Sequence, residues 1–220
     1  MLRHQLLGRI IATAALFVSA PAHQALAKAP VNWDGLTRVQ AKNVDYLYLR
    51  PGTDFRQYDA IILEPTQVAF KKNWQRDMNR SRSGLSKVSD SKLRKAIDDS
   101  QENVRQTFEK RFRETGFKIV TEPSENALKV TVGVVNVEVS APELNSASSK
   151  TFSEQAGYGT LVIEVRDSIS GELLGRAVDH GTAGDHFVMM RNSVSNWADF
   201  EQLFDDWAKI SAKGFRKLVA

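Results

Sequence analysis

The chain has 220 residues, 42% hydrophobic and 25% charged, with 30 Lys+Arg against 26 Asp+Glu and no cysteine. The missing cysteines exclude disulfides, thiolate nucleophiles, cysteine metal sites and a lipidated cysteine, so the core alone must hold the fold, even in an oxidising compartment. A net charge of +4 is not the strongly basic balance that nucleic-acid binding uses, and no nucleic-acid partner is expected.

In chain order, the first signal is an address. Arg3 and Arg9 give a positive start, Ile10 to Val18 is a mostly apolar run, and Ala25-Leu26-Ala27 is a small-x-small site. The pattern predicts a signal peptide over residues 1–27, cut after Ala27, and a periplasmic chain from Lys28. The run is far shorter than the roughly 20 apolar residues a membrane helix needs. No later segment comes close, so no transmembrane span is expected. Residues 1–27 hold two Arg and no acid, which leaves the remainder with 28 Lys+Arg against 26 Asp+Glu. Residues 28–220 read as one domain.

Lys28 to Asn43 has few apolar residues and reads as an extended arm. Val44 to Leu49 reads as a short strand, followed by turn chemistry at Pro51-Gly52-Thr53-Asp54. Tyr58 to Phe70 reads as a second strand, with Pro65 marking an edge or bulge because it cannot donate to a ladder. Residues 71–88 carry six basic residues and one acid, Asp77. They read as a solvated loop, with Trp74 buried against the body. The alternative use is contact with an anionic envelope surface such as lipid headgroups or lipopolysaccharide.

From Asp90 to Thr115 the period becomes helical. Leu93, Ile97, Val104, Phe108 and Phe112 share one stripe, Ser89 or Asp90 can cap the start, and Gly116 can close the end. Phe117 to Val120 is a minimal strand. Leu128, Val130, Val132 and Val134 alternate, and the pattern then shifts by one to Val135, Val137 and Val139, which predicts a bulge or a change of covered face. Residues 141–157 read as a polar loop. Leu161, Ile163 and Val165 form a strand that turns at Asp167 to Gly171 and returns over Leu173 to Val178. A final helix begins at about Asn196, with Trp197, Phe200, Phe204, Trp207, Ser211, Phe215 and Leu218 on one face. The expected fold is α+β: a mostly antiparallel sheet of about five strands with two amphipathic helices on one face.

Chemistry is sparse. His180 follows Asp179 and His186 follows Asp185, an imidazole–carboxylate combination suited to metal or proton work. The pairs lie at a strand end and in a segment containing Gly181 and Gly184, where nothing in the sequence fixes ligand geometry. There is no G-x-S-x-G elbow, phosphate loop, H-E-x-x-H or G-x-G-x-x-G, so no catalytic, cofactor or metal residue is assigned. The leading expectation is a non-enzymatic periplasmic accessory or binding protein whose partner is an envelope protein or an anionic envelope surface. The alternatives are a metal-dependent enzyme centred on Asp179, His180, Asp185 and His186, and an adaptor using segment 71–88.

Several short segments, in order, carry a resemblance. They are Asp45-Tyr46-Leu47-Tyr48, Pro51-Gly52-Thr53-Asp54-Phe55 with Tyr58, and Glu64-Pro65-Thr66-Gln67-Val68-Ala69-Phe70. Later come Arg166-Asp167-Ser168, Gly171-Glu172-Leu173-Leu174, Asp179, Trp197 and Asp205-Asp206-Trp207-Ala208. Over most of residues 44–208 the chain resembles a bacterial envelope family, domain of unknown function 3313. The resemblance implies an exported α+β domain, often a lipoprotein, with no agreed activity and no catalytic residues to carry over. This chain departs from it in lacking the lipid-bearing cysteine.

Overall fold

Asp34-Gly35 turns the chain back on itself, and a hairpin forms where the sequence reading has an arm. Both residues have positive φ, 53° and 78°, the geometry a two-residue hairpin turn demands. In this computed structural model, the described residues are 29–80, 82–84, 87–140, 151–153, 155–184, 189–191 and 193–220. The expected signal peptide lies outside them, as do Asp185 and His186.

The strands are β1 (Asn32–Trp33), β2 (Leu36–Val39), β3 (Tyr46–Leu49), β4 (Ala60–Leu63), β5 (Gln67–Phe70), β6 (Lys118–Ile119), β7 (Ala127–Val139), β8 (Thr151–Ser153), β9 (Gly157–Asp167), β10 (Leu173–Ala183) and β11 (Met189–Arg191). The helices are α1 (Trp74–Asn79), α2 (Asp90–Glu114) and α3 (Ser193–Leu218). Nine strands form one sheet in the order β1-β2-β3-β10-β9-β7-β4-β6, with β5 also on β7, while β8 and β11 pair separately.

This corrects the expected five-strand, mostly antiparallel sheet with two helices. The large sheet is mixed: β4 pairs parallel to both β6 and β7, and β5 pairs parallel to β7. The physical reason is the crossover. Parallel neighbours need the chain to travel back along the sheet, and α2, between β5 and β6, makes that return. Pro65 splits the expected second strand into β4 and β5, which take successive stretches of the same flank of β7. The shift at Val135 is a bulge: the β7–β9 register slips between Val135 and Glu138, and Asn136 has φ 53°.

α2 and α3 cover one face. Ser89 caps α2 by accepting from the Lys92 N–H at 3.3 Å, and Gly116 closes it at φ 91°. Val104, Phe108 and Phe112 are fully buried against Val130, Val132, Leu161, Ile163 and the α3 aromatics. Phe112 makes edge-to-face contacts with Phe117 and Phe215, at centroid distances of 6.0 and 5.3 Å. The Arg111 guanidinium donates to both Asp205 oxygens at 2.8 and 2.5 Å and ties α2 to α3.

The other face carries a smaller apolar cluster of Leu36, Tyr48 and Leu173 under the β1–β2 hairpin. At its centre Arg176 is buried, donating to Glu164 from Nε (2.9 Å) and Nη2 (2.5 Å) and to Asp34 from Nη1 (2.8 Å). Its guanidinium carbon lies 4.1 Å from the Trp33 ring centroid. A buried cation is tolerated because every side of it is paired.

Phe108→Ala should cost about 3–5 kcal/mol in urea titration, because it empties a fully buried site. Glu109 bridges Arg105 and Arg113 on the outer side, so Glu109→Ala should cost under about 1 kcal/mol; similar losses would place the helix phase wrongly. The hydrogen bond from Arg111 holds the Asp205 carboxyl below its ordinary value. Its stabilisation is therefore present above the unfolded carboxylate pKa of about 3.9 and fades as pH falls through the lower folded value. Asp205→Asn should lower stability by about 1 kcal/mol near neutrality. The gap from wild type should close in acid, and a gap constant down to strongly acidic pH would rule out this role.

Candidate functional site

The expected centre joins Asp179 to His180 and Asp185 to His186. Asp179 and His180 sit in consecutive positions of β10, which runs on to Ala183, further than the expected Val178. Successive strand residues point to opposite faces, so the pleat separates the two side chains. Asp179 turns toward the helices. Its Oδ2 accepts from Trp207 Nε1 at 2.8 Å and its Oδ1 from the Asp45 N–H at 3.0 Å. Burial pushes its carboxyl above the ordinary value, and the two donated hydrogen bonds pull against that rise. His180 lies on the open face with its side chain 62% exposed. Asp45, just before β3, accepts through Oδ2 from the His180 backbone N–H at 3.0 Å and from its Nδ1 at 2.6 Å.

The result is a knot that fastens β3, β10 and α3, rather than two groups converging on one point. Its chemical potential is confined to the Asp45–His180 dyad, in which a carboxylate orients an exposed imidazole. Among the described residues, no group of three or more His, Cys, Asp or Glu side chains is placed to hold a metal ion.

A cleft of about 200 Å³ opens on this face, lined by Asn136, Tyr158, Gly159, Thr160, His180, Gly181 and Thr182. The bulge brings Asn136 to its rim. Tyr158 is 45% exposed, and its hydroxyl donates to the Gln155 side-chain amide oxygen Oε1. The lining supplies hydroxyls, an amide and two rings, which suit a polar ligand met by hydrogen bonding and stacking.

Beneath it, Gly159 and Gly181 are directly paired across β9 and β10 and form a flat seat for α3. A Cβ on Gly181 would lie 2.5 Å from Leu203 Cδ1 and 2.6 Å from Trp207 Cζ2. Gly181 is thus a strand residue whose missing side chain admits the Trp207 indole. The sequence reading missed Asp45, Trp207 and the cleft residues as members of one assembly. One signal was available: glycines inside a strand pattern mark close approach by another element.

Gly181→Ala should destabilise by about 1–3 kcal/mol through overpacking against Trp207. Gly214, in α3, has open space where its Cβ would go, so Gly214→Ala should stabilise by up to about 1 kcal/mol through helix propensity. Denaturant midpoints of the two variants check this, and equal shifts would contradict the seat.

No curated protein matches the sequence. Among solved structures, the chain is similar to a PelC dodecamer from Paraburkholderia phytofirmans. The identity is 11%, with 73% of this chain and 94% of that chain covered and a TM-score of 0.35. It is also similar to a Xanthomonas campestris protein of the DUF330 family, at 11% identity, 77% and 90% coverage and a TM-score of 0.43. The sequence profile of the family described as "Protein of unknown function (DUF3313)" matches residues 26–210, and on that match the chain belongs to the DUF3313 family.

Proposed function

We propose that the chain is an exported, non-enzymatic accessory or binding protein of the cell envelope, cut after Ala27 and working in the periplasm. The division of Asp179 from His180 by the β10 pleat carries this reading. A general acid–base pair must reach a common reacting atom, whereas here the Asp179 carboxylate is engaged by Trp207 and the Asp45 N–H, and the His180 imidazole stands on the other face with its Nδ1 held by the Asp45 carboxylate. The cleft beside His180 offers hydrogen-bonding groups and two rings to a ligand. Export follows from Arg3, Arg9, the short apolar run and the Ala-Leu-Ala site. No described helix is long and apolar enough to cross a membrane.

The test is isolation from periplasmic extract, intact-mass measurement, and unfolding with and without zinc. The expected product starts at Lys28, holds no zinc, and keeps its midpoint when zinc is added, because a native-state metal site would raise that midpoint by mass action. Full-length protein in the membrane fraction would overturn export. Stoichiometric zinc, lost in the His180→Ala/His186→Ala double variant, would overturn the non-enzymatic reading.

A further inference from the structure

The segment after β5 is a built lobe. Trp74 is its root: the ring is buried, lies 4.7 Å from Phe70 centroid to centroid, and donates from Nε1 to the Val139 carbonyl at 3.3 Å. Asn79 closes the lobe. Its Nδ2 donates to the Val88 carbonyl at 2.9 Å and its Oδ1 accepts from the Val88 N–H at 2.8 Å. Gln75 adds hydrogen bonds to the Val88 carbonyl and the Asp90 carboxylate. Two side-chain clamps and a buried indole therefore fix the orientation of α1.

That orientation decides what the lobe shows to solvent. With Trp74 inward, Arg76 and Arg80 lie about 200° and about 240° round the helix, directly outward. The turn stays helical through Arg80 (φ −62°, ψ −38°). Their side chains are 61% and 72% exposed. Lys72 and Lys87 are exposed and form no ion pair among the described residues. Among the described residues, the carboxylates bonded to this segment are occupied. Asp77 is shared between Arg76 and Arg80, Glu138 pairs with Lys71, and Asp90 accepts from Gln75. The outer surface is therefore a fixed cationic patch with a net positive excess.

We infer that this lobe docks the protein on an anionic lipid bilayer surface through Lys72, Arg76, Arg80 and Lys87. The contact is electrostatic and reversible: the Trp74 ring is buried in the body and does not insert. Lysines and arginines held at a charged bilayer act additively and are screened by salt. The inference rests on the envelope reading only for which membrane is met. A vesicle assay reads the contact itself, so export can fail while docking stands.

The experiment is co-sedimentation of the folded chain with phosphatidylcholine vesicles and with mixed phosphatidylglycerol–phosphatidylcholine vesicles. Binding is expected only to the anionic vesicles, released between about 0.05 M and about 0.5 M salt. Lys72→Glu/Arg76→Glu/Arg80→Glu/Lys87→Glu should weaken it by roughly a thousand-fold or more. Lys72→Gln/Lys87→Gln, which breaks no described ion pair and keeps the proposal testable if the quadruple variant fails to fold, should weaken it roughly thirty-fold. No binding by the wild type, equal binding to both vesicles, salt-resistant binding, or a folded variant that binds like wild type would each overturn the proposal.

Discussion

A parallel strand pair cannot be closed by a tight turn, and the architecture follows from that constraint. Because β4 and β5 both run parallel to β7, the chain must return along the sheet, and the long helix α2, between β5 and β7, makes that return. Its apolar stripe then has one place to go. α3 joins it on the same face, with Phe112 and Phe215 in edge-to-face contact and Arg111 gripping Asp205 at the rim. The helices thus use up one face of the sheet and leave the second to shorter devices.

Those devices are polar at their centres. Under the terminal hairpin, Arg176 collects Glu164, Asp34 and the Trp33 ring in a buried place. Removing any one partner would leave a desolvated charge behind, so the hairpin is coupled to the sheet by more than the apolar area of Leu36 and Tyr48. Further along the same face, the Asp45–His180 contact stitches β3 to β10. The cleft lies beyond that stitch, lined by Asn136, Tyr158, Thr160, His180 and Thr182.

Legibility from the sequence tracks how local the controlling physics is. The α2 stripe, its Ser89 cap, the Gly116 closure and the phase shift in β7 are written in neighbouring residues, and the structure holds each of them. The sheet order is not local. A helix between strands was read as a layer rather than a crossover, and pairing choice depends on contacts more than a hundred residues apart, such as β3 with β10. The Asp34-Gly35 turn was legible and passed over, because the strands it joins are only two and four residues long. The site was half legible: histidine and carboxylate were visible as types, but the pleat that sends them apart depends on where β10 ends. Trp207 looked like ordinary core because its seat is made of residues with no side chain.

The widths of the outermost strands have a consequence for crowding. β1 and β6, at the two ends of the sheet, are two residues each, and β5 is four residues, cut from β4 by Pro65. Exposed strand margins recruit other chains in proportion to their run of unpaired N–H and C=O groups. These clipped margins offer little template for edge-to-edge growth; the longer margin is β10 past Val178, where β3 no longer pairs it, and there the Asp45 carboxylate occupies the His180 N–H.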